Sequence, residues 1–395
     1  MKALDGVRVL DLTRALAGPY CTLMLGDYGA DVIKIELPCR GDDTRQWGPP
    51  YVDGESAYFL SISRNKRSIT LNLKDARGKE VFMGLARGAN VVVENFTPGV
   101  VQRLGIDYES VKALNPGIVY CSVSGFGQTG PYRHKPAYDQ MMQGLGGIMS
   151  LTGEAEGPPQ KMGVALADIG SGMMAAFGVM TALFHREKTG QGQYIDVSML
   201  DLQVAWLTYQ AATYFANGTP PPRVGSAHPN LVPYQAFKCS DGKYVNVAVG
   251  NERFWQRFCG ALGRQDLMES PKYALNRDRV KNRVKLAALL QEVFSRETSG
   301  HWVKVLEEAE VPCGPINDLA DVFSDPQVLH REMLLELDHP SAGRIKQTGI
   351  PIKFSETPGA INLPPPLLGQ HTEEILTELG YSPEDVQALK AQEVV

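Results

Sequence analysis

The chain has 395 residues, 43% of them hydrophobic and 21% charged, the composition of a globular protein with length for two domains or one large one. Its net charge of −5 argues against general nucleic-acid binding. The longest apolar run, Gly172 to Phe184, is too short for a bilayer, and Met1-Lys-Ala-Leu-Asp-Gly6 has no apolar signal-peptide core, so a cytoplasmic protein without a membrane partner is expected. Six scattered cysteines without a C-x-x-C pair fit reduced thiols. No His or Cys pair has metal-ligand spacing, so no metal site is expected.

Val7 to Leu12 is a compact apolar strand. Pro19 suits the first turn of a following helix and Gly29 its end. Asp31 to Glu36 is the next strand, and this βαβ opening implies a parallel sheet covered by helices. Ala89–Glu94, Ile118–Val123 and Tyr194–Val197 read as further buried strands. Met173, Phe177, Met180 and Phe184 fall at i, i+4, i+7 and i+11, a helical period. Lys188-Thr-Gly190 ends that helix. A long apolar helix follows from about 200 to 214 and stops at Asn217-Gly-Thr-Pro-Pro-Pro222, a stiff turn segment.

From about residue 225 the pattern changes. Paired strands at 232–237 and 244–249 turn at Ser240-Asp-Gly242. Helices follow at about 252–263, 278–296 and 300–309. Arg277, Arg279, Lys281, Arg283 and Lys285 run along the second, as a solvated face opposite Val280, Val284 and Ala287. Ser382-Pro-Glu-Asp385 caps a C-terminal helix. The expected organisation is a large Rossmann-like, parallel-sheet α/β domain at 1–198 plus 328–395. A linker helix and turn at 199–224 leads into an inserted smaller α+β domain at 225–327.

Strand, helix, strand and Glu36 imitate a dinucleotide fold. The loop Thr13-Arg-Ala-Leu-Ala-Gly-Pro19 has one glycine where that fingerprint needs three. No Walker loop and no G-x-S-x-G occurs, and none of the seven histidines stands beside a candidate Ser or Cys. Carboxylate chemistry remains, and Asp168 is its best-placed bearer. It sits at or next to the N-cap where Gly163-Val-Ala-Leu-Ala-Asp168-Ile-Gly-Ser-Gly172 turns into the apolar helix. Small neighbours leave room for a substrate, and free N–H groups of a first turn favour an anion by roughly 0.3–1 kcal/mol. A plain N-cap is the competing reading of Asp168.

In this order the blocks resemble a family III CoA-transferase. Leu4-Asp-Gly-Val-Arg-Val-Leu-Asp-Leu12, Ala17-Gly-Pro19, Gly29-Ala-Asp-Val-Ile-Lys-Ile-Glu36, Gly41-Asp-Asp-Thr-Arg45 and Asn65-Lys-Arg-Ser-Ile69 carry the first part. Val93-Glu-Asn-Phe-Thr-Pro-Gly99 with Arg103 and Gly105 is the most diagnostic block. Gly125-Phe-Gly-Gln-Thr-Gly-Pro131, the Asp168 helix, Val311-Pro-Cys-Gly-Pro-Ile316 and Pro366-Leu-Leu-Gly-Gln-His371 complete it. Val232-Pro-Tyr-Gln-Ala-Phe237 looks most like the branch that moves CoA between dicarboxylates such as succinate and glutarate.

The resemblance implies that Asp168 is a nucleophile, forming an acyl anhydride and then an aspartyl-CoA thioester. It implies an acyl-CoA and a small carboxylic acid as substrates, with no tightly bound cofactor, and an interlocked homodimer. By the same resemblance Asn95, Phe96 and Arg103 line the CoA site, with Leu71, Leu73 and Lys74 near the adenine end. Leu16 stands where some relatives have glutamine. Leu37 replaces a phosphate-binding arginine, for which Arg40 is the substitute. Only Gly250-Asn251 stands near the place of the family's glycine-rich flap. For the distal carboxylate of a dicarboxylate, Arg14, Arg45 and His228 are candidates, with Tyr138 adding a hydrogen bond. Arg14 is preferred because it follows the first strand. A 2-methylacyl-CoA racemase is one alternative, but the histidine it needs before Asp139 is Tyr138 here, and a phenol with a pKa near ~10 is a poor base. A non-catalytic CoA-ester binding protein is the other.

Overall fold

Six short runs rich in Val and Ile pair into one parallel sheet. In space they lie in the order Lys66–Thr70, Asp31–Glu36, Arg8–Asp11, Val91–Glu94, Val119–Ser124 and Tyr194–Ser198. Numbered along the chain that order is 3-2-1-4-5-6, the doubly wound arrangement. Side chains alternate across it, so each strand feeds two cores. Leu10, Ile33, Ile69 and Val92 pack with Phe82, Leu85, Ile375 and Leu376 on one face. Val9, Val32, Val91 and Val93 pack on the other with Cys21 and Leu25, and with Ala175 and Val179. The direction of winding reverses between Arg8–Asp11 and Val91–Glu94, which leaves a crevice at their carboxyl ends.

The computed structural model describes residues 1–395. The chain forms two compact units. The larger holds Met1–Ile148, Lys161–Ala211 and Gln327–Val395; the smaller holds Met149–Gln160 and Ala212–Pro326. The Met149–Gln160 stretch has no counterpart in the sequence-based organisation. Within the smaller unit, the Gly225 N–H donates to the Gly153 carbonyl at 3.0 Å and Arg223 donates to the Gly157 carbonyl at 2.6 Å.

In the larger unit the Leu166–Thr189 helix packs against the Ala17–Asp27 helix. Its inward face is small: Gly170, Gly172, Ala175, Ala176 and Ala182. A Cβ on Gly172 would come within 2.5 Å of the Ala17 carbonyl oxygen, and one on Gly170 would collide with the Trp206 ring. These glycines permit close helix packing, rather than opening space for a substrate. The stripe of Met173, Phe177, Met180 and Phe184 has the expected period but points outward, with exposures of 48%, 66%, 41% and 64%. At 24 residues the helix is long and apolar enough to cross a membrane by length and composition. Its small-residue face is packed on the Ala17–Asp27 helix.

The apolar run after residue 198 is not one helix. Met199–Ala205 and Thr208–Asn217 are separate, because Thr208 takes a left-handed φ of 39° that a helix cannot continue through. An antiparallel hairpin, Leu334–His339 with Gly343–Thr348, was not legible in the sequence. The smaller unit has a three-stranded antiparallel sheet in the order Cys313–Pro315, Tyr244–Ala248, Tyr234–Lys238. Helices Glu252–Ala261, Arg283–Phe294 and Ser299–Glu308 surround its core of Phe237, Trp255, Phe258, Phe294 and Trp302. The basic cluster is a solvated face only in part: Arg277, Lys281 and Lys285 are exposed, but the run is split between two helices, Asn276–Lys281 and Arg283–Phe294. Arg279 is fully buried and donates to Glu252 at 2.7 Å and to the Val232 carbonyl at 2.6 Å, whereas Val284 is 78% exposed. All six cysteines are free thiols, four of them buried.

Candidate active site

The crevice at the strand reversal is built on a buried ion network. Asp11 ends the first strand and accepts from Thr13 N–H at 2.9 Å, Thr22 Oγ1 at 2.7 Å and Lys66 Nζ at 3.0 Å. Lys34 Nζ donates to the Thr13 carbonyl and to Asp42, each at 2.9 Å. Burial alone would raise the Asp11 pKa, but the charges of Lys66 and Lys34 outweigh it and hold the carboxyl well below its usual range. Breaking one member of such a network costs ~3–5 kcal/mol. Its structural product is a fixed loop. Ala15 sits at a left-handed φ of 61°, and its N–H donates to Asp42 at 3.3 Å.

That loop is clamped across the crevice. Arg14 N–H donates to Asn95 Oδ1, and Asn95 Nδ2 donates back to the Arg14 carbonyl, both at 2.8 Å. The Asn95 amide therefore joins the exits of the first and fourth strands. Phe96 N–H donates to Glu94 Oε2 at 2.8 Å, and burial pushes that carboxyl up to about 7. The Arg14 guanidinium lies 5.5 Å from the Phe96 ring centre, within cation–π range.

A cavity of about 540 Å³ opens here, and Arg14, Leu16, Phe96, Tyr58, Lys161 and Asp168 are among its walls. Asp168 is the third residue of the Leu166–Thr189 helix, and Ala165 at the N-cap makes no side-chain cap. The cap comes from Asp139, whose Oδ1 accepts from Ala167 N–H at 2.8 Å and Asp168 N–H at 3.3 Å. Fully buried Gln143 holds the other Asp139 oxygen at 2.7 Å and accepts Met162 N–H at 2.8 Å. The Asp168 carboxylate has no hydrogen-bond or ion-pair partner and lines the cavity. It is not the cap.

The electrostatics differ from the sequence-based expectation. Burial, and then the negative charge of Asp139, push the Asp168 pKa up to about 7. The helix N–H groups that would favour its anion are already bonded: two to Asp139, Leu166 N–H to the Val164 carbonyl at 2.8 Å, and Ile169 N–H to the Ala165 carbonyl at 2.9 Å. No free first-turn N–H remains for Asp168 or for an oxyanion. Tyr58 faces the same space. Burial, and then the charge of Asp168, push its hydroxyl up to about 12, so it keeps its proton. Its ring meets Trp47 edge-on at 5.1 Å.

Of the residues named from sequence, Asp168, Arg14, Asn95, Phe96 and Tyr138 line this cavity together. Leu71 is buried in the sheet core, Leu73 packs half-buried on it, and Lys74 and Arg103 are exposed; none of the four is a cavity wall. Arg40 is exposed and paired with Asp43 at 2.8 Å. Arg45 belongs to the structural frame. Its guanidinium grips buried Glu36 at 2.8 and 2.7 Å and stacks 3.7 Å from the Phe59 ring centre, so its charge is already matched. His228 belongs to the smaller unit, stacked on Tyr234 at 5.3 Å. Sequence reasoning missed Tyr58, Lys161 and the Asp139–Gln143 cap. Asp139 and Gln143 stand at i, i+4, a readable pair, but nothing local in the sequence says that they face residue 168.

The chain matches the model of CoA-transferase family III over residues 4–372. It is 45% identical over 379 residues to a succinyl-CoA:glutarate CoA-transferase of Mus musculus, covering 96% of this chain and 87% of that one. It is 42% identical over 382 residues to a succinate–glutarate CoA-transferase of Agrobacterium fabrum, covering 95% of each. The crystal structure of a CAIB/BAIF family protein from Brucella suis is similar at a TM-score of 0.86 and 43% identity, over 96% of this chain and 99% of that one. With its doubly wound sheet and an unpaired carboxylate at the strand reversal, the chain belongs to CoA-transferase family III.

Proposed function

We propose that this enzyme moves CoA from succinyl-CoA to a dicarboxylate of glutarate type, with Asp168 as the nucleophile. The observation that carries the reading is the Asp168 carboxylate, unpaired, part-buried and facing the cavity at the strand reversal. The ionised carboxylate attacks the thioester carbonyl, the C–S bond breaks, and a succinyl-aspartyl anhydride and CoA thiolate result. The thiolate attacks the aspartyl carbonyl, releasing succinate and leaving an aspartyl-CoA thioester. The acceptor carboxylate attacks that thioester and frees the thiolate, which takes the acceptor's acyl group and returns Asp168 as a carboxylate. Desolvation makes the Asp168 anion reactive and keeps water from the anhydride. With the first-turn N–H groups of that helix already bonded, the Tyr58 O–H and the unpartnered buried Ser124 hydroxyl are neutral donors on the wall suited to the tetrahedral oxyanion. Phe96 and Arg14 flank the path assigned to the pantetheine arm and its phosphates. No histidine lines the cavity, which leaves the racemase alternative without its second base.

A second copy of this chain is the proposed occupant of the outward Met173–Phe177–Met180–Phe184 stripe, continuing the homodimer expected of the family. The nucleophile assignment is tested directly. Asp168→Ala abolishes transfer and retains CoA binding by calorimetry. Wild-type enzyme incubated with succinyl-CoA and quenched with hydroxylamine carries a hydroxamate at residue 168 by peptide mass spectrometry; a hydroxamate at any other residue overturns the assignment.

A further inference from the structure

We propose that Lys161 is the specificity-determining cation of the acceptor site, binding the distal carboxylate of the dicarboxylate whose near carboxylate reacts at Asp168. The proposal rests on the transferase reading above and adds the residue that selects the acceptor. The cavity has two cationic walls, Arg14 and Lys161, against three carboxylates, Asp43, Asp139 and Asp168. A dianionic substrate entering that field needs a positive partner for the end that does not react.

Arg14 is engaged with the Asn95–Phe96 wall of the cavity. Its backbone is clamped in both directions by Asn95, and its guanidinium lies over Phe96, on the wall assigned to the CoA arm. Lys161 stands on the strand of chain that leads into the nucleophile's helix, seven residues before Asp168. The next residue, Met162, is anchored through its N–H to buried Gln143 at 2.8 Å. Gln143 in turn holds Asp139, and Asp139 holds the first turn that carries Asp168. One hydrogen-bonded frame therefore fixes the Lys161 backbone relative to the reacting carboxylate. The Lys161 ammonium has a single hydrogen bond, to the Met162 carbonyl at 3.2 Å, and no acidic partner. It is exposed, so a bound carboxylate can reach it.

A lysine in this role has a chemical consequence. Its four-carbon stem pivots a point charge, whereas an arginine fork fixes one geometry. Succinate and glutarate differ by one methylene, about 1.3 Å of reach. A pivoting ammonium meets both distal carboxylates, so one site accepts the leaving dicarboxylate and the incoming one. A monocarboxylate gains nothing from Lys161.

The test compares Lys161→Met and Lys161→Arg with wild type, using glutarate and butyrate as acceptors and saturating succinyl-CoA as donor, so that the donor step does not enter kcat/KM for either acceptor. A lost charge-assisted hydrogen bond corresponds to roughly a tenfold to hundredfold effect. Lys161→Met lowers kcat/KM for glutarate by that factor, chiefly through KM, and leaves butyrate within about twofold of wild type; Lys161→Arg restores glutarate use in part. Calorimetric binding of glutarate to the free enzyme weakens in parallel. Unchanged glutarate kinetics, or equal losses for both acceptors, overturn the proposal. If wild-type enzyme transfers CoA to neither acid, the transferase reading fails, and the glutarate titration of wild type against Lys161→Met still decides whether Lys161 holds a carboxylate.

Discussion

Asp168, the proposed nucleophile, carries a carboxyl whose surroundings push its titration toward neutral pH. Burial first and the Asp139 charge second push its pKa up to about 7, with no hydrogen bond to offset either. An acid whose pKa is raised holds its proton longer, so the reactive anion is scarce below about pH 6 and dominant above about pH 8. The wild-type kcat/KM profile for succinyl-CoA rises with pH on a limb centred at about 7. Asp139→Asn removes the second cause while its side-chain oxygen can still accept from Ala167 N–H. Without that negative charge the Asp168 proton leaves more easily, and the limb moves to lower pH. Initial rates measured against pH for both enzymes, at succinyl-CoA concentrations well below KM so that kcat/KM for the donor is read, check this; a limb that stays in place shows that Asp139 acts only as a cap. The sequence made Asp168 conspicuous through its small neighbours but had its electrostatics reversed. A helix N-terminus favours an anion only while its N–H groups are free, and whether a residue on another helix has taken them is not a local property.

At the scale of elements, the sheet was the readable part. Val- and Ile-rich strands announce themselves, and the opening βαβ pattern fixes the hand and the parallel direction. The Leu166–Thr189 helix shows where a periodic pattern misleads. A stripe of large apolar residues names a helix and one of its faces, but not which face meets the protein. Here the small face does, because Gly172 lets the Ala17 carbonyl approach and thereby sets the distance between the helix of Asp168 and the loop of Arg14. Gly172→Val forces the two helices apart. Overpacking of this kind costs ~1–3 kcal/mol, read as a lower Tm, and the displaced Asp168 lowers kcat. Gly178→Ala on the same helix is the contrast. Its Cβ meets Ile195 no closer than 3.4 Å, an ordinary contact, and the gain in helix propensity is ~0.5–1 kcal/mol. That variant keeps full activity and melts at the wild-type temperature or above. Equal melting temperatures for the two variants would show that the Ala17 contact does not set the helix spacing.

For the whole molecule, the unexplained quantity is the apolar surface left outside. Met173, Phe177, Met180 and Phe184 form one continuous stripe on a 24-residue helix, each more than two-fifths exposed. Single exposed apolar residues are ordinary; a contiguous row of four large ones marks a surface that something covers. A symmetric contact places the same stripe on both partners, so one substitution acts twice in the assembly. Burying a phenylalanine side chain contributes ~1.5–3 kcal/mol, and placing a carboxylate there instead adds a desolvation cost of the opposite sign. Phe177→Glu with Phe184→Glu therefore converts the proposed dimer into a monomer of 43.2 kDa, while a Lys285→Glu control, at an exposed position of the smaller unit outside that helix, does not. Sedimentation velocity at micromolar protein reads the mass directly. The same samples, assayed for transfer, separate assembly from chemistry: the Asp168 cavity is walled wholly by residues of the larger unit of one chain, so a folded monomer that keeps measurable transfer means the partner supports the site without supplying its nucleophile. A wild-type protein that sediments as a monomer removes the dimer from the account and leaves the stripe to another partner.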